Sequence, residues 1–424
     1  MHLKDTSKGL PGFGLGISGL TISIIFAAYI AVNYGFAIDL FSMVVPDMKK
    51  DLGLSYTTVG NISACVRGGF LAASLLTMYL VQWVGAGRLV YLSVAICTAC
   101  FWGLTLANSP WVVGSLMTLI GACAASVYIP MVGVVGRFVA KKYHGRVIGF
   151  ICGGQSLGVI GASWLVPYAI THHSWRQAWT TVGIIGVATL VLTCLPLWKI
   201  RVFEATPEAG ESETTEGAPL GKEAGVPWAK GTYLILILYF LSAFSFNPFQ
   251  TYLSPYLRGE LGFSVEAAAG VWSLIALPGV VSGLFMGYLA DRLGISVSLV
   301  VAYGATLVAT LILLLAPHSH AMALGSLLFG IAFYSIFGLI PAYISKVNSP
   351  AVAVKVFALA NIAHGAGGIS GNFFGGRSKD ILGTFQWLYA LIAMVLVGLI
   401  ILSLILPKEK ERESNTGLLQ NAEI

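Results

Sequence analysis

Charge is what this 424-residue chain has least of: Asp, Glu, Lys and Arg make up 10% of it and apolar residues 57%, for a mean hydropathy of +0.83. A water-facing domain carries roughly 25% charged residues. So sparse a supply cannot cover a hydrated surface, which excludes a soluble globular domain and points to a bilayer as the solvent. Acids are scarcest where the chain is most apolar, and Asp39 is the one that lies well inside an apolar run. No cluster of His, Asp or Glu sits at membrane depth and no nucleotide-binding loop is present. The expectation is that the chain is not an enzyme and uses no cofactor or metal. No segment concentrates basic charge in the manner of a nucleic-acid binder. Cysteine is limited to six residues (Cys65, Cys97, Cys100, Cys123, Cys152, Cys194), all within apolar runs of the first half. That placement excludes a disulfide framework and reads as small buried hydrophobes. Cys97 and Cys100 stand one helical turn apart, but no further Cys or His accompanies them as a metal or redox site requires. Long polar segments are few, which argues against a receptor built around a soluble appendage.

What the chain does have is long apolar runs. Twelve of them fall near 17–43, 56–81, 88–107, 110–136, 146–170, 177–198, 231–257, 265–289, 295–316, 321–345, 354–375 and 384–407. Each approaches the ~20 residues that cross a bilayer, and runs this continuous are helical because lipid offers no partner to an unpaired backbone group. Lysine and arginine orient them. With the N-terminus in the cytoplasm, seventeen basic residues fall on inside segments, and six (Lys49, Lys50, Arg176, Arg258, Arg377, Lys379) fall outside. That positive-inside bias puts both termini in the cytoplasm. No small-residue cleavage site follows the first run, which is expected to be a retained helix. The expected organisation is a polar tail over 1–16, six helices over 17–200, a Glu- and Pro-containing cytoplasmic linker over 201–230, six helices over 231–407 and a charged tail over 408–424. A bacterial inner membrane is the expected location. The expected partners of this multi-pass monomer are the bilayer and a small-molecule solute, with no nucleic acid. Asn61-Ile62-Ser63 fits the glycosylation pattern but opens a membrane helix, where it is unusable.

The two sets of six are related. The offset that carries Gly294 onto Gly85 also carries Pro255, Glu260, Leu261, Gly262 and Ser264 onto Pro46, Asp51, Leu52, Gly53 and Ser55. A nearly identical offset carries Gly325-Ser326-Leu327 onto Gly114-Ser115-Leu116 and Ile340-Pro341 onto Ile129-Pro130. The fold class this predicts is an all-α membrane protein of twelve transmembrane helices in two pseudo-symmetric, parallel six-helix halves.

A short polar turn, Gly287-Tyr288-Leu289-Ala290-Asp291-Arg292-Leu293-Gly294, joins the eighth and ninth runs. Gly287 permits close helix approach. Asp291 can accept from the amides of a helix N-terminus or from an arginine of a neighbouring helix. Such contacts latch two halves in one state and release them in another; the plainer reading is a positive-inside turn. The first-half copy, Met78 to Gly85, keeps Gly85 but has Met78, Gln82 and Trp83 where the second half has Gly287, Asp291 and Arg292.

Twelve helices, a central cytoplasmic linker and this turn motif (Gly287, Asp291, Arg292 and Gly294) resemble the major facilitator superfamily over nearly the whole chain. Trp175-Arg176 before the sixth helix, and Arg137 with Lys141-Lys142 after the fourth, resemble it too. The resemblance implies secondary transport, as symporter or antiporter, by rocking of the halves around a midplane site. Two departures limit it. Met117 stands where proton-linked members carry an arginine four residues before Gly121, and the Gly-Pro signature of drug antiporters is absent from the fifth helix.

Ionisable groups at membrane depth are costly and usually functional. Arg67 lies near the midplane of the second helix, ~15 Å below its outer end, and has Ala276 as its counterpart in the second half. A guanidinium there suits recognition of a carboxylate or phosphate through a bidentate fork. The alternative is a structural ion pair with Asp39, whose axial gap of about 7 Å a long arginine can cross; the two roles can also alternate. Tyr29, Asn33 and Tyr34 on the first helix, Asn247, Gln250 and Thr251 around Pro248 on the seventh, and Asn361 and His364 on the eleventh are further candidates for the cavity wall, with Tyr128, Gln155, Trp272 and Tyr334. Each taken alone is more often a helix–helix hydrogen bond or packing aromatic than a ligand. Asp39 and His364 are the candidate coupling groups, His364 as a pH-sensitive partner or as a packing residue. The reading is a transporter of a small organic anion, a carboxylate such as a monocarboxylate, with a proton or an exchanged anion as its coupling partner. The alternative is an exporter of a neutral or cationic metabolite or drug, which an acidic cavity would favour.

Overall fold

Every regular element is helical in the computed structural model, which describes residues 17–140, 143–203 and 230–407; no strand occurs among the described residues. The expected tails over 1–16 and 408–424, most of the linker, and Lys141-Lys142 lie outside the described residues. The first span is one continuous rod of three parts: α1 (Ile17–Ile30), a π-helical stretch (Ala31–Asp39) and α2 (Leu40–Leu52). The other five spans of the first half are α3 (Tyr56–Val84), α4 (Ala86–Thr105), α5 (Pro110–Phe138), α6 (His144–His172) and α7 (Trp175–Lys199). The second half comprises α8 (Lys230–Gly259), α9 (Val265–Leu293), α10 (Ile295–Leu315), α11 (Ser319–Val347), α12 (Pro350–Leu382) and α13 (Gln386–Leu404). The face at which α1 begins and α7 ends is called the terminal face, and the opposite one the distal face.

Eleven of the rods are long and apolar enough to cross a membrane. The exception is α12, which trades apolar residues for Gly365, Gly367, Gly368, Gly371, Gly375 and Gly376 and carries Asn361, His364 and Asn372. It packs against α8 in its own half and α3 in the other, so much of its surface meets protein and not lipid. Exposed tryptophans ring the outside at both faces: Trp83 and Trp198 at terminal ends, Trp111 and Trp387 at distal starts. That is the interfacial belt of a membrane protein. The cysteine expectation needs correction: Cys97, Cys100 and Cys123 are buried and Cys152 is half-buried, but Cys65 and Cys194 are exposed, which an apolar solvent around the helices makes inexpensive.

The halves meet along α3–α12, α6–α9 and α2–α8. The repeat exchanges the first two pairs and maps the third onto itself, as a pseudo-two-fold axis along the membrane normal requires. Equivalent acids do equivalent work in each half. Asp51 accepts from Trp175 Nε1 at 3.0 Å and pairs with Arg176 at the start of α7. Glu260 accepts from Lys379 Nζ at 2.7 Å and from the Phe385 amide at 2.8 Å at the start of α13. Gly85 and Gly294 both have φ near +86°. Each donates its amide back to the helix it ends, at 2.9 and 3.0 Å, while its carbonyl accepts from the helix it begins. A side chain is strained at that φ, so the turn retains its glycine even where the rest of the first-half motif is lost.

Candidate functional site

The π-helical stretch places the first-half polar groups. Gly35 lies against Gly158 of α6, close enough that a Cβ on Gly35 would stand 2.5 Å from the Gly158 Cα. This approach brings Asp39 to Gln155, whose Nε2 donates to Asp39 Oδ2 at 2.9 Å. Arg67, half-buried on α3, has Asp39, Tyr34 and His364 as its electrostatic neighbours. Among the described residues no carboxylate comes within the 4.0 Å of an ion pair with it. Asp39 is hydrogen-bonded to Gln155 and attracts Arg67 electrostatically from beyond that distance. The Arg67 stem touches Gly368 of α12, as does the Asn247 amide: a Cβ on Gly368 would lie 3.5 Å from Arg67 Cγ and 2.6 Å from Asn247 Nδ2. Arg67, Asn247 and His364 are thus gathered at one level of the seam between the halves.

The second half faces them with rings. His364 packs between Tyr239, at 4.4 Å between ring centroids, and Phe337, at 5.7 Å. Phe333 continues the layer to Phe337 and Tyr334. On the first-half side Tyr128 is partly exposed and stands edge-on to Tyr34 at 6.5 Å. Asn33 Oδ1 and His364 Nδ1 are among the buried polar atoms with no hydrogen-bond partner among the described residues. Asn361 lies one turn from His364 toward the terminal face, its amide donating to Phe357 O at 2.9 Å.

Several candidates lie elsewhere. Tyr29 is fully buried and hydrogen-bonds Thr193 of α7 at 2.6 Å, so it joins helices within one half and does not face the seam. Trp272 donates to Ser254 at 2.9 Å inside the second half. Gln250 and Thr251 are buried in α8. Sequence reasoning missed Tyr239 and Phe337, and with them the aromatic layer; the four-residue spacing of Phe333 and Phe337 on one helix face was the available signal.

The seam is closed at the distal face. Arg258 of α8 forks onto Asp47 of α2, Nη2 to Oδ1 at 2.9 Å and Nη1 to Oδ2 at 2.5 Å. Asp380, at the end of α12, accepts the first amides of α3, from Tyr56 at 3.2 Å and from Thr57 at 2.7 Å. Ser163 and Ser273 bridge α6 and α9. Toward the terminal face a Cβ on Gly149, Gly283 or Gly287 would meet nothing within 4 Å. Asp291 is exposed and makes no hydrogen bond or ion pair among the described residues, while Arg292 lies over its neighbour Tyr288.

Two six-helix halves, joined by ion-pair and hydrogen-bond contacts at the distal face around a polar and aromatic seam, define a membrane transporter. A sequence profile of the Major Facilitator Superfamily matches residues 25–372, and the chain belongs to that family. It is similar to the cis,cis-muconate transport protein of Acinetobacter baylyi, 25% identical over 64% of this chain and 67% of that protein. It is also similar to the gallate transporter of Pseudomonas putida, 20% identical over 63% of this chain and 65% of that protein. The chain thus matches about two thirds of the length of these relatives. Among solved structures, a mutant of the nucleoside transporter NupG superposes with a TM-score of 0.73 at 15% identity, over 92% of this chain and all of that one.

Proposed function

We propose that the chain carries a small organic carboxylate across the membrane by alternating access, with Arg67 as the carboxylate anchor. One observation bears most of the weight: a guanidinium at membrane depth, at the seam between the halves, with no carboxylate of a described residue within ion-pair distance and its neighbour Asp39 hydrogen-bonded to Gln155. An unpaired buried charge is strongly disfavoured, and an arriving carboxylate relieves that penalty through a bidentate fork. The similarity to muconate and gallate transporters supports the same ligand chemistry. Asn247 and His364 supply further polar contacts, and the aromatic layer takes the body of the solute. Asp39, held by Gln155 next to Arg67, is the coupling group for a proton, or stays charged if the counter-solute is a second anion. The distal face is the outside, both termini are cytoplasmic, and the working unit is a monomer in the inner membrane.

Reconstituted protein tests this reading. Proteoliposomes are expected to accumulate benzoate or cis,cis-muconate under a gradient, and Arg67→Gln to abolish it. Uptake of lipophilic amines without uptake of either acid would replace this reading with export of cations.

A further inference from the structure

On the distal face, above the sealed seam, lies a crevice of about 450 Å³ lined by Pro46, Lys49, Lys50, Tyr56, Pro255, Arg258, Gly259, Phe263, Ser264 and Val265. Most of this lining falls into pairs related by the repeat offset: Pro46 with Pro255, Lys49 with Arg258, Lys50 with Gly259, Tyr56 with Val265. A pocket lined by equivalent positions of both halves sits on the pseudo-two-fold axis. It therefore stands directly over the pathway that the halves enclose, away from the lipid-facing perimeter.

Its charge is of one sign. The acids nearby are committed: Asp47 to Arg258, Asp51 to Arg176, Glu260 to Lys379, and Asp380 to the amides of α3. Glu266 at the start of α9, beside the lining residue Val265, has no ion pair among the described residues; it hydrogen-bonds at its own helix start and feels Arg258 only at longer range. Lys49 lies over the Tyr56 ring at 4.6 Å, Lys50 is exposed, and no carboxylate of a described residue pairs with either. These two lysines break the positive-inside pattern, so orientation in the membrane does not account for them.

We propose that this crevice is a second, vestibular anion site, which collects a small carboxylate at the distal face before the seam opens to Arg67. Two uncompensated ammonium groups in a concave mouth raise the local concentration of anions and speed their capture. Arg67 lies about 16 Å further down α3 at 1.5 Å per residue, so the two sites are separate stations on one axis. The inference rests on the carboxylate reading of Arg67 for the identity of its ligand.

The test is benzoate transport by the full-length protein in proteoliposomes, with KM measured separately for benzoate presented at each face. In Lys49→Gln/Lys50→Gln, KM from the distal face is expected to rise roughly three- to tenfold at low salt, with kcat little changed and KM from the terminal face unchanged. The rise is expected to shrink as salt screens the site, over a Debye length of about 10 Å at 0.1 M. Lys49→Arg/Lys50→Arg keeps the charge and is expected to keep the wild-type KM, which guards against a folding defect. Phosphatidylcholine vesicles free of anionic lipid are expected to give the same result, because the ligand is the solute and not a headgroup. An unchanged distal KM in the Gln pair, an equal rise at both faces, or an effect seen only with anionic lipid overturns the vestibular site. Wild-type protein that moves no carboxylate overturns the reading of Arg67 instead.

Discussion

Arg67 and Tyr29 were drawn from the same kind of observation, a polar side chain inside an apolar run, and the structure separates them. Arg67 stands at the seam with no carboxylate of a described residue at ion-pair distance, its neighbour Asp39 being hydrogen-bonded to Gln155. Tyr29 is spent on Thr193 within the first half. Helical spacing places a residue along its rod but does not say which neighbour it will meet, so the distinction was not legible before the packing was known. Two expectations follow. In Arg67→Lys the charge stays and the fork is lost, so KM for a carboxylate is expected to rise roughly tenfold or more in an uptake assay. In Tyr29→Phe one interhelical hydrogen bond goes, so thermal unfolding is expected to report a loss of no more than about 2 kcal/mol with KM unmoved. Gly368 adds a third. A methyl group there would press on the Asn247 amide, 2.6 Å away. Gly368→Ala is therefore expected to cost about 1–3 kcal/mol of stability through overpacking, and to raise KM as well, because Arg67 leans on the same glycine.

Among the elements, the rods were plain in the sequence and their ends were not. The first apolar run stops near residue 43, yet the helix continues to Leu52. Asp47, Lys49, Lys50 and Asp51 break the apolar pattern there without breaking the helix. The chain turns only at Gly53, where φ reaches 63°. Those extra turns matter, since they carry Asp47 to Arg258. The distal clamp joins that pair to the capping of α3 by Asp380, a contact between residues more than 300 positions apart that no local pattern announces. A capping carboxylate contributes about 0.5–2 kcal/mol. Asp380→Ala is therefore expected to shift the balance away from the distal-closed state several-fold. Thiol labelling of a cysteine placed under the clamp reads this as faster modification from the distal side.

For the whole molecule, the repeat made both the twelve-rod plan and its symmetry readable, and the equivalence of Asp51 with Glu260 extends to the helix starts they hold. What the repeat could not reveal is which end of the molecule is closed. The closed end here is the distal one, and Asp291 in the terminal-face motif is unengaged. If Asp291 is a latch that finds its partner in the opposite state, as the sequence motif suggests, Asp291→Asn is expected to slow turnover and leave the protein resting with its terminal face open. The first-half copy keeps Gly85 for its turn and has given up the acid, which leaves the second half as the source of that latch. The seam is divided likewise, with Arg67 and Asp39 on the first half and the rings of Tyr239, His364 and Phe337 on the second. On the proposed carboxylate reading, closure of the halves would bring charge to one end of a solute and aromatic surface to the other. The most direct measurement is counterflow of labelled benzoate in proteoliposomes of wild type and Arg67→Gln, with a lipophilic amine run in parallel. The account predicts benzoate exchange by the wild type, its loss in Arg67→Gln and no exchange of the amine. Undiminished benzoate exchange by Arg67→Gln would contradict it.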